Sequence, residues 1–142
     1  MSFIIDTCVV SELAKPDPAP QVVSWFNECP SELLYLSVLT LGELHYGVAR
    51  LPEGSRKNDL VLWLQQLESA YADDILPVND RICVRWGRER ARLEQVGRPV
   101  PVVDSLLAAT ALEHGFVLVT RNVDDFRAFG IQLLDPWSHE SP

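Results

Sequence analysis

Short apolar runs alternate along the chain with longer stretches in which apolar residues recur at helical spacing. Phe3–Ile5 and Val117–Val119 are apolar, rich in β-branched residues and bounded by polar ones, which is typical of buried parallel strands. Weaker runs of the same kind cover residues 34–36, 75–76 and 131–134. The helical spacing predicts helices over residues 9–14, 20–28, 39–50, 56–71, 80–95 and 103–114. This alternation predicts a three-layer α/β domain with right-handed crossovers.

The predicted helix over residues 56–71 is more apolar than a single core-facing stripe requires. Its apolar positions are Leu60, Val61, Leu62, Trp63, Leu64, Leu67 and Tyr71. A homodimer would supply a second buried surface, and a helix that lies deep in one core would explain the same residues. Both interpretations stay open on the sequence.

Composition adds limits to this picture. A chain of 142 residues that is 47% hydrophobic fits one domain over residues 1–142. Its three cysteines form no C-x-x-C pair, which argues against a disulfide framework or a structural zinc site and favours a reducing compartment. The N-terminus has no basic region before its apolar residues, and no apolar stretch reaches the length of a bilayer span. We therefore expect a cytoplasmic protein with no membrane segment.

Charge is distributed unevenly. The formal net charge of −8 argues against nucleic-acid binding through bulk positive charge. Residues 81–98 nevertheless contain six of the twelve basic residues and two acids, so this segment alone is +4. On a helix, four of these arginines form one stripe that could contact RNA phosphates: Arg81, Arg85, Arg88 and Arg92. The alternative is a solvated helix face with pairs such as Arg85 to Glu89.

Carboxylate and amide side chains occur where predicted strands end or helices begin. The candidates are Asp6, Glu43, Asp104, Asn122 and Asp125. Each has a structural alternative, because Asp6 and Asp104 could cap helices, Thr40-x-x-Glu43 has capping-box spacing, and Asn122 could cap a short turn. In an open parallel sheet, however, residues that follow strands meet at one edge, where unneutralised carboxylates would repel one another. We therefore predict a hard divalent cation, with Mg²⁺ or Mn²⁺ favoured over zinc, at a site suited to phosphodiester hydrolysis.

Four stretches of the sequence resemble PIN-domain ribonucleases, and among them the VapC toxins of type II toxin–antitoxin modules, near the FitB-like branch. The stretches occur in the family's order, span nearly the whole chain, and cover residues 4–13, 36–44 with Gly47, 104–111 and 118–126.

The resemblance implies a PIN-like three-layer α/β/α domain with a central parallel sheet of four or five strands. It implies metal ligands at Asp6, Glu43 and Asp104, and Thr7 and Thr120 are similar to hydroxyls that orient such acids. Activated water would attack RNA phosphorus and leave a 3′-hydroxyl and a 5′-phosphate. Many relatives carry a fourth acid directly after the Thr-Arg pair, whereas this chain has Asn122. Asp125 would then act through water or only anchor the loop.

The resemblance also implies partners. A cognate antitoxin protein would pack along the toxin and project a basic side chain toward the acids, and homodimers are common in such toxins. The remaining alternative is a catalytically weak PIN-fold binding module that sequesters RNA or a protein partner. The amide at Asn122 is the feature that favours this alternative.

Overall fold

The computed structural model describes residues 1–140, which contain five strands and seven α-helices. The strands are β1 (Phe3–Ile5), β2 (Leu34–Ser37), β3 (Ile75–Leu76), β4 (Val117–Val119) and β5 (Leu133–Leu134). The helices are α1 (Thr7–Leu13), α2 (Pro20–Glu28), α3 (Val38–Ala49), α4 (Ser55–Ala70), α5 (Asp80–Gln95), α6 (Val102–His114) and α7 (Val123–Phe126).

The five strands form one parallel sheet in the order β3-β2-β1-β4-β5. Phe3 lies beside Leu34 of β2 on one side and Val117 of β4 on the other, so β1 is the central strand. The chain fills the sheet outward from β1 through β2 to β3 and then resumes on the other side with β4. This reversal of strand order opens a cleft at the carboxyl ends of β1 and β4, the position at which open α/β sheets bind ligands.

Two cores cover the two faces of the sheet. Neighbouring strand residues point to opposite faces, so Ile5 packs in one core with Trp25 while Ile4 packs in the other with Leu107. Val119 and Leu118 divide between the two cores in the same way. The three-layer α/β/α prediction with four or five parallel strands is therefore confirmed.

Helix boundaries agree with the prediction for α2 and α5 and differ by one or two residues elsewhere. The clearest difference is in α3, which begins at Val38 because the Ser37 hydroxyl accepts a hydrogen bond from Leu39 N at 3.0 Å. The capping box expected at Thr40-x-x-Glu43 is therefore wrong, since both residues lie inside the helix. The sequence did not predict α7, because four residues are too few to show helical periodicity.

The apolar residues of α4 are only partly used by the core. Leu64 is buried, and Trp63, Leu67 and Tyr71 pack against the core that contains Ile5. Leu62, in contrast, is 58% exposed. Deep packing explains one side of the helix, and the homodimer stays a prediction for the other. No helix within residues 1–140 is long and apolar enough to cross a bilayer.

Candidate active site

Asp6 is the fixed centre of the acidic site. It follows β1 directly and is 7% exposed. Its Oδ1 accepts a hydrogen bond from Thr7 N at 2.8 Å, and its Oδ2 accepts one from Thr120 Oγ1 at 2.8 Å. Asp6 thus caps α1 with one oxygen and is tied to the end of β4 with the other. The capping interpretation is correct and leaves room for a second role, because a carboxylate oxygen has two lone pairs.

Thr120 connects the two central strands at this edge. Its hydroxyl is fully buried, donates to Asp6 and accepts a hydrogen bond from Asn122 N at 3.0 Å. The hydroxyl of Thr120 is therefore held both as a donor and as an acceptor. The carboxylate of Asp6 cannot rotate without breaking its bond to Thr120 or its bond to Thr7 N.

Cys8 forms a wall of the site that the sequence did not reveal. Its Sγ lies 3.5 Å from Asp6 Oδ2 and 3.7 Å from Thr120 Oγ1. Burial, and then the charge of Asp6, raise the pKa of this thiol to about 11. Cys8 is therefore a neutral thiol at physiological pH, which makes it a poor ligand for a hard cation.

Glu43 joins the site from α3. Its side chain is exposed, and its Oε1 accepts a hydrogen bond from Thr7 Oγ1 at 2.6 Å. Thr7 therefore holds the second acid as Thr120 holds the first. Thr40, one turn before Glu43, is buried, and within residues 1–140 its Oγ1 has no hydrogen-bond partner.

Asp104 is the acid of the site whose pKa is clearly raised. It is the third residue of α6, and its pKa is raised to about 6, first by burial and then by the charges of Asp6, Glu43 and Asp125. Asp6 after β1, Glu43 in α3 and Asp125 in α7 therefore all act on the charge of Asp104 in α6. Because the folded pKa exceeds the ordinary value of 3.8, the folded carboxyl holds its proton more tightly than the unfolded one. The cation-free protein therefore loses stability as the pH rises through this window, and a bound cation would reverse the loss.

Asn122 directly precedes α7, and Asp125 is the third residue of that helix. Asn122 precedes the helix, but its side chain makes no capping bond, so the expected side-chain cap is wrong. The turn is instead closed by a backbone bond from Asp125 N to Asn122 O at 3.0 Å. Asp125 is exposed, and its charge reaches Asp104.

The donor set fits a hard divalent cation by its chemistry. Carboxylate oxygens are the ligands that Mg²⁺ prefers, and three of the four acids raise the pKa of the fourth. Within residues 1–140, no three His, Cys, Asp or Glu side chains are already close enough to act together as metal ligands. Glu43 is turned toward Thr7 in this arrangement.

The arginine stripe lies on α5, and its members have different partners. Arg85 Nε donates to Glu113 Oε2 of α6 at 2.9 Å, so the expected pair with Glu89 is wrong. Glu89 is instead bonded to Arg92, whose guanidinium also donates to Ala128 O at 2.8 Å. Within residues 1–140, Arg81 and Arg88 form no ion pair. Both line a groove of about 350 Å³ together with Arg85.

The basic residue in the cleft beside Asp104 is Arg98, which the sequence pattern marked only as part of a basic segment. A cleft of about 260 Å³ is lined by Arg98, Asp104, Asp124 and Asp125. The available signal was its position: Arg98 directly precedes a Pro-x-Pro segment that leads to Asp104.

The chain matches a known family and known proteins over most of its length. The family model described as PIN domain matches residues 3–131. The chain is similar to VapC ribonuclease Y4jK of Sinorhizobium fredii, with 33% identity over 139 residues that cover 95% of this chain and 97% of that protein. It is also similar to toxin FitB of Neisseria gonorrhoeae, with 33% identity over 136 residues, covering 95% of this chain and 98% of FitB.

The fold has a close match among solved structures. The crystal structure of FitAcB from Neisseria gonorrhoeae superposes with a TM-score of 0.91 and 33% identity, covering 96% of this chain and 99% of the matched chain. The similarity therefore extends through the sheet and the helices that carry the acids.

Proposed function

The chain belongs to the PIN domain family, and from this premise we propose that it is a metal-dependent endoribonuclease that acts as the toxin of a type II toxin–antitoxin module. The observation that carries the proposal is the convergence of Asp6, Glu43 and Asp125 on Asp104, whose pKa is raised by burial and then by the charges of these three acids. Structural acids are usually paired with a base, whereas a metal site leaves its carboxylates unpaired.

Each side chain has a part in this proposal. Asp6, Glu43 and Asp104 would hold Mg²⁺, with Mn²⁺ as a substitute, and the ion when bound would supply charge neutralisation and an activated water. Thr120 keeps the Asp6 carboxylate oriented, and Thr7 orients Glu43. Asn122 adds no charge, so Asp125 of α7 is the nearby acid that helps to attract the cation. RNA would be cut to a 3′-hydroxyl and a 5′-phosphate.

A cognate antitoxin protein is the expected partner. The acidic site of an acidic chain favours a partner segment that presents a basic side chain. We place the protein in the cytoplasm, where cellular RNA is found and where free thiols such as those of Cys8, Cys29 and Cys83 persist. The exposed Leu62 of α4 supports a homodimer.

A binding module without catalysis is the second candidate, and the neutral Asn122 is the observation that favours it. Purified protein should cleave RNA in Mg²⁺ and stop when EDTA removes the ion. RNA that is bound but stays intact at all Mg²⁺ concentrations would support the binding module and refute the ribonuclease.

Arg81 and Arg88 are the stripe residues that we expect to contact RNA phosphates. Replacing both with Ala should reduce the salt dependence of RNA binding by about 1.4 in the slope of log K against log salt, because each phosphate contact on a single strand contributes about 0.7. Fluorescence anisotropy across a salt series measures this slope.

Arg50→Ala is the matched control, since Arg50 lies at the end of α3 and its guanidinium stacks on Tyr46. Its slope should equal that of the unmodified protein. A double variant whose slope is also unchanged would show that the stripe is only a solvated face.

A further inference from the structure

Arg98 has a fixed main chain. The helix α5 ends in a Schellman motif, in which Gly97 has a φ of +73° and its N donates to Glu94 O at 3.1 Å. Arg98 N then donates to Leu93 O at 2.8 Å. Leu93 is itself buried in the core, so the backbone of Arg98 is anchored to the interior of the protein.

The segment between Arg98 and Asp104 is stiff. Pro99 and Pro101 restrict their own φ angles, and Pro101 directly precedes α6 with a φ of −53°. Asp104 follows in the first turn of that helix. A basic and an acidic side chain are therefore mounted on one short connection with few free dihedrals, which limits how far the two can move relative to each other.

The guanidinium of Arg98 is not paired with a carboxylate within residues 1–140. Of the residues that line the cleft beside Asp104, it is the only cation. Its acidic neighbour Asp124 accepts a hydrogen bond from Arg127 at 2.7 Å instead. Within residues 1–140 Arg98 forms no ion pair, as is also the case for Arg81 and Arg88 of the stripe, but of these three only Arg98 lies in the cleft beside Asp104.

We propose that Arg98 binds a backbone phosphate of the RNA in the cleft beside Asp104 and thereby positions the substrate against the acids. This inference rests on the proposed ribonuclease function. A guanidinium matches the two oxygens of a phosphate with paired donors, and a rigid mount lowers the entropy lost on binding. A positive charge at this place also offsets the repulsion between the polyanion and the nearby acids Asp124 and Asp125.

The test uses a short fluorescein-labelled single-stranded RNA and the full chain with Asp6→Asn, which prevents cleavage. In this background Arg98→Ala should weaken binding by about tenfold, and Arg98→Lys should recover part of the loss because it restores the charge without the fork. Arg50→Ala should bind as the background protein does. Equal affinity of Arg98→Ala and the background would overturn the inference.

A chemical double-mutant cycle locates the contact. Single methylphosphonate substitutions remove one phosphate charge at a time along the RNA. One position should weaken binding to the background protein about tenfold and have little further effect on Arg98→Ala, because that contact is already gone. If every position weakens binding of the two proteins equally, Arg98 contacts no phosphate and the inference is wrong.

Two further readouts separate this inference from the proposed function. Arg98→Ala in the active chain should lower kcat/KM for RNA about tenfold while its affinity for Mn²⁺ stays within about twofold. If the unmodified protein and Arg98→Ala cleave RNA equally well, the role of Arg98 is refuted and the proposed function is not. An unmodified chain that neither binds nor cleaves RNA refutes the proposed function and the inference with it.

Discussion

Replacing Asp104 with Asn should lower the rate of RNA cleavage in saturating Mg²⁺ by at least about a thousandfold, because the change removes a carboxylate ligand and keeps the shape of the side chain. Asp104 is the acid on which burial and three neighbouring charges converge. Cleavage of a labelled RNA, followed by gel electrophoresis under single-turnover conditions, measures the effect.

Asp124→Asn is the matched control for this variant. Asp124 lines the same cleft and belongs to the neighbouring helix α7, but it is exposed and paired with Arg127. We expect its cleavage rate to stay within about twofold of the unmodified protein. If both variants lose activity equally, or neither does, the catalytic role of Asp104 is wrong.

Misfolding cannot imitate the expected loss, because the same substitution should not destabilise the protein. Above about pH 6 the ionised Asp104 is disfavoured by its burial and by the charges of its neighbours, so Asp104→Asn should raise the stability of the cation-free chain by about 1 kcal/mol, allowing for solvent screening of a partly exposed group. Below the ordinary pKa of 3.8 both proteins carry a neutral side chain and the difference should vanish.

Expression of the chain without an antitoxin should arrest the growth of bacterial cells, and Asp104→Asn or Asp6→Asn should restore it. The expectation follows from catalysis, since a few molecules of an active ribonuclease destroy many RNA molecules, whereas a binder acts only in stoichiometric amounts. Colony counts after induction, with immunoblots to match the protein levels, measure the outcome.

Persistent arrest in the two Asn variants at matched protein levels would contradict the enzymatic interpretation. It would indicate that the toxicity comes from sequestration of RNA or of a protein partner. Normal growth with the unmodified chain, at a protein level that cleaves RNA in the extract, would refute its role as a toxin.

The sequence predicted the fold well because the strands are buried on both faces. Val117–Val119 is fully buried and Phe3–Ile5 is buried except for the partly exposed Phe3, so their apolar runs stand out against the helical spacing around them. The apolar and basic stripes of α5 predicted its bounds to the residue, and in the structure Asn79 caps its first turn, with Oδ1 accepting from Ile82 N at 3.0 Å. The four-residue α7 and the two-residue β5 carry too little pattern to be bounded in this way.

The sequence suggested which acids could lie at the sheet edge, but it did not reveal the hydrogen bonds that hold them. Asp6 follows a clear strand, so its place at the sheet edge could be expected. The bond from Thr120 to Asp6 joins residues 114 positions apart, and the bond from Thr7 to Glu43 joins residues 36 apart. Local spacing contains no information about such pairs. For the same reason it favoured a capping box at Glu43 and a partner for Arg85 on its own helix, where packing supplied Glu113 instead.

The proposed function requires that acids from separate elements of the fold jointly bind one divalent cation. Crystals of the protein soaked in Mn²⁺ test it most directly, through the anomalous scattering of manganese. We predict a single strong peak that is shared by the carboxylates of Asp6, Glu43 and Asp104. Crystals in which these three carboxylates stay apart, with no peak shared between them, would contradict the claim.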